Sequence, residues 1–187
     1  TLVVTTTNND SPPAGQTSLK QAIAALADGD TIQFNIPGTG PHLIVTPLGG
    51  YGIITANNVT IDGYSQPGSK PNSNGILGGN NAAIKIVLDS TSDDSGPSLD
   101  PLHPEFVERR STRLTAYSGY GASENAIIPV LQGDNFKIRG IAFIGRYTAG
   151  TTDDPSLYAI ALIQEAKNAK VQGCWFGLAP GDPYTME

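Results

Sequence analysis

The sequence contains 187 residues, with 11 Lys and Arg against 17 Asp and Glu, so its formal net charge is −6 at pH 7. Charged residues make up only 15% of the chain, while Gly and Pro contribute 22 and 14 residues, which excludes a long-helix or coiled-coil protein. An acidic balance without a basic cluster argues against a nucleic-acid partner, because such proteins face phosphates with a positive stripe. No stretch approaches the roughly 18 apolar residues of a membrane span.

The N-terminal region is predicted to contain a strand, one helix and a second strand. The apolar residues within 2–5 are typical of a short strand. Ser18 is a suitable N-cap with Gln21 three residues later, which is the capping-box pattern. Four apolar residues then fall on one helix face: Leu19, Ala22, Ile23 and Leu26. Gly29 is expected to end the helix, and the alternation in 31–36 predicts a half-buried strand.

One six-residue pattern returns three times, at 58–63, 135–140 and 168–173: Asn, any residue, Thr or Lys, Ile or Val, any residue, Gly. A fixed short motif at irregular spacing indicates stacked coils with loops of variable length. Strand-sized apolar runs between Gly and Asn turns make the coils β rather than helical.

Two positions of this motif have a structural interpretation. Ile61, Ile138 and Val171 are expected to superpose inside the stack. Asn58, Asn135 and Asn168 are expected to mark a repeated corner, because Asn tolerates a left-handed backbone and bonds locally. We interpret the three Asn residues as a structural stack rather than a row of ligand-binding groups.

The motifs carry a family resemblance. Segments 17–23 (Thr-Ser-Leu-Lys-Gln-Ala-Ile) and 29–34 (Gly-Asp-Thr-Ile-Gln-Phe) resemble the Ser-Leu-Arg-Gln-Ala-Ile opening of extracellular right-handed parallel β-helix proteins. Segment 59–68 (Val-Thr-Ile-Asp-Gly-Tyr-Ser-Gln-Pro-Gly) resembles the first coil of the same pectin-lyase-like group. Lys20 stands where Arg is usual. The likeness covers 1–68 well and 127–178 loosely, and it brings no catalytic motif.

The resemblance implies an all-β fold, a right-handed parallel β-helix solenoid with a short N-terminal capping helix. We therefore expect 1–187 to form a single domain, with the cap strand, helix and first strand in 1–36 and the coils in 37–187. Inserts are expected at 64–82, as an irregular loop, and at 89–126. No closing element follows the third motif copy, so we expect the protein to continue or a second chain to cover the open coil end.

The candidate substrate-binding residues lie in the second insert and in a shorter loop: Glu105, Arg109, Arg113, Tyr117, Tyr120 and Asp153. The arginines, with Arg110, can pair with the carboxylates of an acidic sugar, and the tyrosines can stack on sugar faces. The alternative is that the arginines bridge Asp93, Asp94 or Glu105 and only order the loop. No spacing identifies a catalytic residue.

No cofactor is predicted, and calcium is the one ion left open, although no specific motif supports it. Segment 89–96 has oxygen ligands at calcium-like density but lacks the EF-hand spacing, so we interpret it as a solvated acidic loop. Cys174 lies in a segment typical of a strand and is interpreted as a small buried hydrophobe. His42 and His103, each close to Pro, are interpreted as surface loop residues.

The leading hypothesis is the N-terminal part of a secreted or cell-surface carbohydrate-active protein that binds or cleaves a polysaccharide. Two enzyme classes of this architecture are open: in the lyases a basic residue removes the proton alpha to a uronate carboxylate, often with calcium, and in the glycoside hydrolases carboxylates act. The alternative is a non-catalytic cell-surface or adhesion module. Fold resemblance does not decide between them, because one fold hosts many chemistries.

Overall fold

The computed structural model describes residues 1–46, 51, 53–89, 130–131, 133–144, 167–176 and 180. The elements run in this order: β1 (Leu2–Val4), α1 (Leu19–Ala24), β2 (Thr31–Phe34), β3 (His42–Val45), β4 (Ile53–Ile54), β5 (Thr60–Asp62), a 3-10 turn (Gly63–Ser65), β6 (Ile86–Asp89), β7 (Val130–Leu131), β8 (Lys137–Arg139), β9 (Ile141–Ile144), β10 (Lys170–Gln172) and β11 (Trp175–Phe176). Within this part of the chain, no helix is long and apolar enough to cross a membrane.

The strands form three sheets that the chain visits in turn. Sheet A has the order β1-β2-β5-β8-β10, sheet B the order β3-β6-β9-β11, and sheet C pairs β4 with β7. From β2 to β9 the described strands enter sheet A, then B, then C, and repeat that order, and the last two, β10 and β11, lie again in sheets A and B. Every pairing between these strands is parallel. The prediction of a mainly β protein with very little helix is confirmed.

The inward position of the repeated motif forms one column in sheet A. Ile32, Ile61, Ile138 and Val171 are cross-strand partners in that order. The three isoleucines are almost completely buried, which confirms the predicted superposition. Val171 is 48% exposed, so its predicted burial is wrong: within the described residues no strand lies beyond β10 to cover it.

The Asn corner is confirmed. Asn58, Asn135 and Asn168 all have a left-handed backbone, with φ between 57° and 58°. The side-chain amide of Asn135 donates to Asn58 Oδ1 at 3.0 Å, and that of Asn168 donates to Asn135 Oδ1 at 3.1 Å. These side chains satisfy one another, so the column is structural.

Helix α1 begins at the predicted capping box. Ser18 Oγ accepts from the Gln21 backbone N–H, and the Gln21 side chain accepts from the Ser18 N–H. The helix ends at Ala24, five residues before the predicted stop at Gly29, which lies in the following turn with φ of 80°. Its buried face, Leu19, Ala22 and Ile23, joins the main core, and Leu26 packs there beyond the helix end.

The main core lies between the three sheets and is centred on aromatic and branched side chains. Phe34, Phe136 and Phe143 are its largest fully buried members. Phe143 stacks on Phe176 with ring centroids 5.2 Å apart, and the two residues are cross-strand partners in sheet B. The sequence match between these two phenylalanines therefore corresponds to neighbouring positions in the stack.

Two predictions at the sheet B edge are wrong. His42 is the first residue of β3 and only 8% exposed, rather than a surface loop residue, because the Gln66 side chain covers its imidazole. Asp89 is the last residue of β6 and buried, so it belongs to a strand and not to a solvated acidic loop. Residues 90–126 of the second insert lie outside the described residues.

Candidate functional site

None of the predicted substrate-binding residues is among those that the structure describes. This applies to Glu105, Arg109, Arg113, Tyr117, Tyr120 and Asp153. The structure therefore leaves their role as a prediction. It does describe a second candidate site, which the sequence reasoning missed.

A cleft of about 600 Å³ lies between the first insert and the end of sheet A. On the insert side its wall consists of Pro71, Asn72, Asn80 and Ala82. On the sheet side the lining residues are Tyr64, Arg139, Gln172, Gly173, Cys174 and Trp175. The lining thus combines one half-buried indole with amide and guanidinium donors.

The insert wall is rigidified by its own amides, although it has no regular secondary structure beyond one bridge. Lys70 and Ala83 exchange two backbone hydrogen bonds of 2.9 Å, which closes the base of the loop. Asn72 Oδ1 accepts from two backbone N–H groups within the loop. Asn80 Oδ1 accepts from the Ala82 N–H, and within the described residues its Nδ2 has no partner. One amide donor of the wall is therefore available to a ligand.

Arg139 is held in one orientation by Asp62. The two residues are cross-strand partners on β8 and β5, and the pair is bidentate, with Nε–Oδ1 at 2.8 Å and Nη2–Oδ2 at 2.6 Å. These hydrogen bonds raise the pKa of the Arg139 guanidinium, against a smaller opposing effect of its partial burial. The pair uses the Nε–H and one Nη2–H group, so two N–H groups on Nη1 and one on Nη2 are left for a ligand.

Tyr64 braces three successive passes of sheet A. Its ring lies directly over Gly140, where a Cβ atom would come within 2.6 Å of the ring, and its hydroxyl donates to the Gly173 carbonyl at 3.0 Å. Burial is the main cause that raises the pKa of Tyr64. The hydroxyl therefore stays protonated at neutral pH and acts as a structural donor at the cleft floor.

A basic column stands beside the cleft on the outer face of sheet A. Lys137 and Lys170 are cross-strand partners, and parallel neighbours lie about 4.8 Å apart. Arg139 lies two residues along β8 and therefore on the same face. Among the described residues, neither lysine ammonium takes part in an ion pair. The sequence shows no basic cluster at this position, because Lys137 and Lys170 are 33 positions apart and become neighbours only in the folded sheet.

Cys174 is neither in a strand nor fully buried, so its predicted setting is wrong. It lies between β10 and β11, half-buried, and packs against the main core. Burial raises the pKa of the Cys174 thiol, and the S–H group donates to the Gln172 carbonyl at 3.6 Å. The group is a neutral thiol at pH 7. Within the part of the chain that the structure describes, no group of His, Cys, Asp and Glu could hold a metal.

The signal for this site was present in the repeated motif. Its two outward positions, the third (Thr or Lys) and the fifth (any residue), carry every charged side chain of the site: Lys137 and Lys170 at the third, and Asp62 and Arg139 at the fifth. A motif with a fixed inward residue and chemically diverse outward residues is typical of a scaffold that presents a surface.

Comparisons of the chain with protein-family models, with curated proteins and with solved structures found no match. The site is therefore interpreted from its own geometry and charge.

Proposed function

We propose that this chain forms coils of a right-handed parallel β-helix in which the cleft beside Trp175 binds an acidic polysaccharide. The fold part of the proposal is supported by the repeated visit to sheets A, B and C and by the Asn column at one corner. Parallel crossover connections are right-handed in about 98% of cases, which favours that hand. Helix α1, which packs beside the edge strand β1, then caps one end of the stack.

The observation that carries the ligand proposal is the alignment of Lys137 and Lys170 next to the Arg139 edge of the cleft. A uronic-acid polymer presents one carboxylate per acidic sugar at regular intervals along an extended chain. Cations repeated at the spacing of parallel strands, about 4.8 Å, can meet such a ligand at several points. A neutral polysaccharide would leave these ammonium groups without a function.

The cleft supplies the contacts that a sugar ring needs besides charge. The indole of Trp175 offers an apolar face on which a pyranose can stack. Asn80 Nδ2 and Arg139 Nη1 are donors on opposite sides of the cleft, which suits hydroxyl and carboxylate oxygens. The proposal concerns binding, because the described lining contains neither a carboxylate nor an imidazole for bond cleavage.

Because the chain has a net charge of −6, its affinity for a polyanion depends on the local positive charge of Lys137 and Lys170. A polyanion is repelled by the chain as a whole and attracted only where the lysines stand. Exposed charge pairs are screened over roughly 8–10 Å at physiological salt. Affinity for the acidic polymer is thus expected to fall as salt rises, whereas a neutral polymer would show no such dependence.

The test measures affinity for a uronic-acid polymer and for a neutral glucan, with the emission of Trp175, the only tryptophan, as a local reporter. We expect the acidic polymer alone to shift that emission. Lys170→Gln is expected to weaken its binding about fivefold, the effect of one exposed charge contact. Lys20→Gln, which removes the same charge from helix α1, serves as the matched control.

Equal affinity for both polymers, or an equal loss in both lysine variants, would contradict the proposal. Incubation of the bound polymer then distinguishes binding from turnover. New reducing ends alone indicate a hydrolase, reducing ends with ultraviolet absorbance of unsaturated products indicate a lyase, and neither indicates a binding module. Polysaccharides of this kind lie outside cells, so the proposal includes a secreted or cell-surface location.

A further inference from the structure

His42 is buried in an environment that requires its imidazole to be neutral. Gln66 Oε1 accepts from the Ile36 N–H at 2.9 Å, and Gln66 Nε2 donates to the Ile36 carbonyl at 2.8 Å. This pair of bonds assigns the orientation of the Gln66 amide. The remaining hydrogen of Nε2 therefore faces His42 Nε2, 3.0 Å away. His42 Nε2 must accept that hydrogen, so the ring proton lies on Nδ1.

Protonation would turn this acceptor into a donor. A hydrogen on His42 Nε2 would face the amide hydrogens of Gln66, and the Gln66 oxygen cannot accept it, because that oxygen is turned to Ile36. The ring lies against Gly40, where an added Cβ atom would come within 3.0 Å of His42 Cδ2. A buried imidazolium in this position would leave its new N–H group unpaired, which is costly.

Burial and the nearest charge also favour the neutral form of the His42 ring. Burial lowers the pKa of His42, the positive charge of Lys85 lowers it further, and a backbone hydrogen bond at Gly38 opposes both. Lys85, which immediately precedes β6, is the charged side chain that acts on the ring. The turn at 36–41 and residues 64–69 contain no charged residue. Among the described residues, no negatively charged group acts on the His42 ring.

His42 also joins the two ends of the first insert. At the outgoing end it contacts the Gln66 side chain, and at the returning end its backbone N–H donates to the Lys85 carbonyl at 2.7 Å. The residues between these ends carry the insert wall of the cleft, including Asn72 and Asn80. The outgoing end of that wall is thus held in part by a side-chain contact that exists only while His42 is neutral.

We propose that protonation of His42 is an acid switch that releases the first insert from the sheet and so lowers the affinity of the cleft for its ligand. The ligand part of this inference rests on the proposed function, whereas the movement of the insert does not. An ordinary histidine titrates near pH 6.5. Since the folded state disfavours the imidazolium, the insert is held above that pH and is released progressively below it.

The test follows Trp175 emission between pH 7.5 and 5.0, because this residue lines the cleft opposite the insert. We expect a transition with its midpoint below pH 6.5. His42→Gln is expected to abolish it, since a glutamine oxygen can accept from Gln66 without titrating. His103→Gln, which removes the other histidine, is expected to leave it unchanged. A proton NMR titration of the unmodified protein, assigned with the His103 variant, covers the case in which His42→Gln does not fold.

Binding of the uronic-acid polymer is measured over the same range, in which the carboxylates of the polymer stay largely ionised. The ratio of held to released insert is expected to fall about tenfold for each pH unit through the transition. An unchanged transition in His42→Gln, or a His42 titration at or above pH 6.5, would overturn the switch. A transition without polymer binding at any pH would support the switch and overturn the proposed function, and pH-independent binding without a transition would do the reverse.

Discussion

The two faces of sheet A are built on the same cross-strand register but differ in what they carry. The inner column is Ile32, Ile61 and Ile138, three identical side chains packed to exclusion of water. The outer column consists of the next residue in each strand: Gln33, Asp62 and Arg139. The inner face therefore sets the stack, while the outer face carries different chemistry at each strand, including the buried Asp62 paired with Arg139.

The largest loss of stability is expected from a cavity on the inner face of sheet A. Ile138→Ala is expected to cost about 3 kcal/mol of unfolding free energy, because it removes buried methyl groups from the centre of the column. Val171→Ala, in the same column but half exposed, is expected to cost less than about 1 kcal/mol. Urea unfolding of both variants measures the difference. Equal losses would show that the column is not packed as described.

The next largest loss of stability is expected from replacing a glycine on the outer side of sheet A. Gly140→Ala places a Cβ atom against the Tyr64 ring and forces a side chain into a φ of +66°. We expect a loss of about 2–4 kcal/mol from overpacking and backbone strain together. Gly29→Ala, with φ of +80° and open space around its Cβ, isolates the strain at about 1–2 kcal/mol.

Thermal unfolding of the two glycine variants gives their difference directly. If Gly29→Ala destabilises as much as Gly140→Ala, the Tyr64 ring does not brace the strands. In the Gly140→Ala background, a further Tyr64→Ala substitution is expected to remove the overpacking and leave the strain.

The corner between the two faces provides the smallest expected effect. Asn135→Gly keeps the left-handed backbone but removes hydrogen bonds to both Asn58 and Asn168, so we expect a loss of about 1–2 kcal/mol. Asn168→Gly removes only one of these bonds and is expected to cost about half as much. Chemical unfolding of both variants checks the ratio. Identical losses would mean that the amide column contributes nothing beyond the backbone conformation.

Local features of this fold could be read from the sequence because their cause lies within a few residues. The capping box at Ser18 and the left-handed Asn58 each depend on neighbouring backbone groups. The helix end was predicted late, since Gly29 belongs to the turn after the helix. The helix was therefore predicted correctly, but its C-terminal end was placed too far along the chain.

The site depended on pairings that no local pattern contains. Lys137 and Lys170 become neighbours only once β8 and β10 are placed in register. His42 was misjudged for the same reason: its neighbours in sequence are typical of a loop, while the group that buries it is Gln66, 24 residues away. The inward residues were easier to predict because hydrophobic periodicity reports burial, whereas outward residues acquire meaning only from their neighbours in space.

The Asn column has a consequence for how such a chain can change over time. The residues joined by its two hydrogen bonds are separated by 77 positions in one case and 33 in the other, yet the bond lengths differ by only 0.1 Å. Closing the longer segment costs only about 0.6 kcal/mol more per doubling of its length. Insertions between corners are therefore thermodynamically cheap, and new surface can be added to one pass of the chain without disturbing the next.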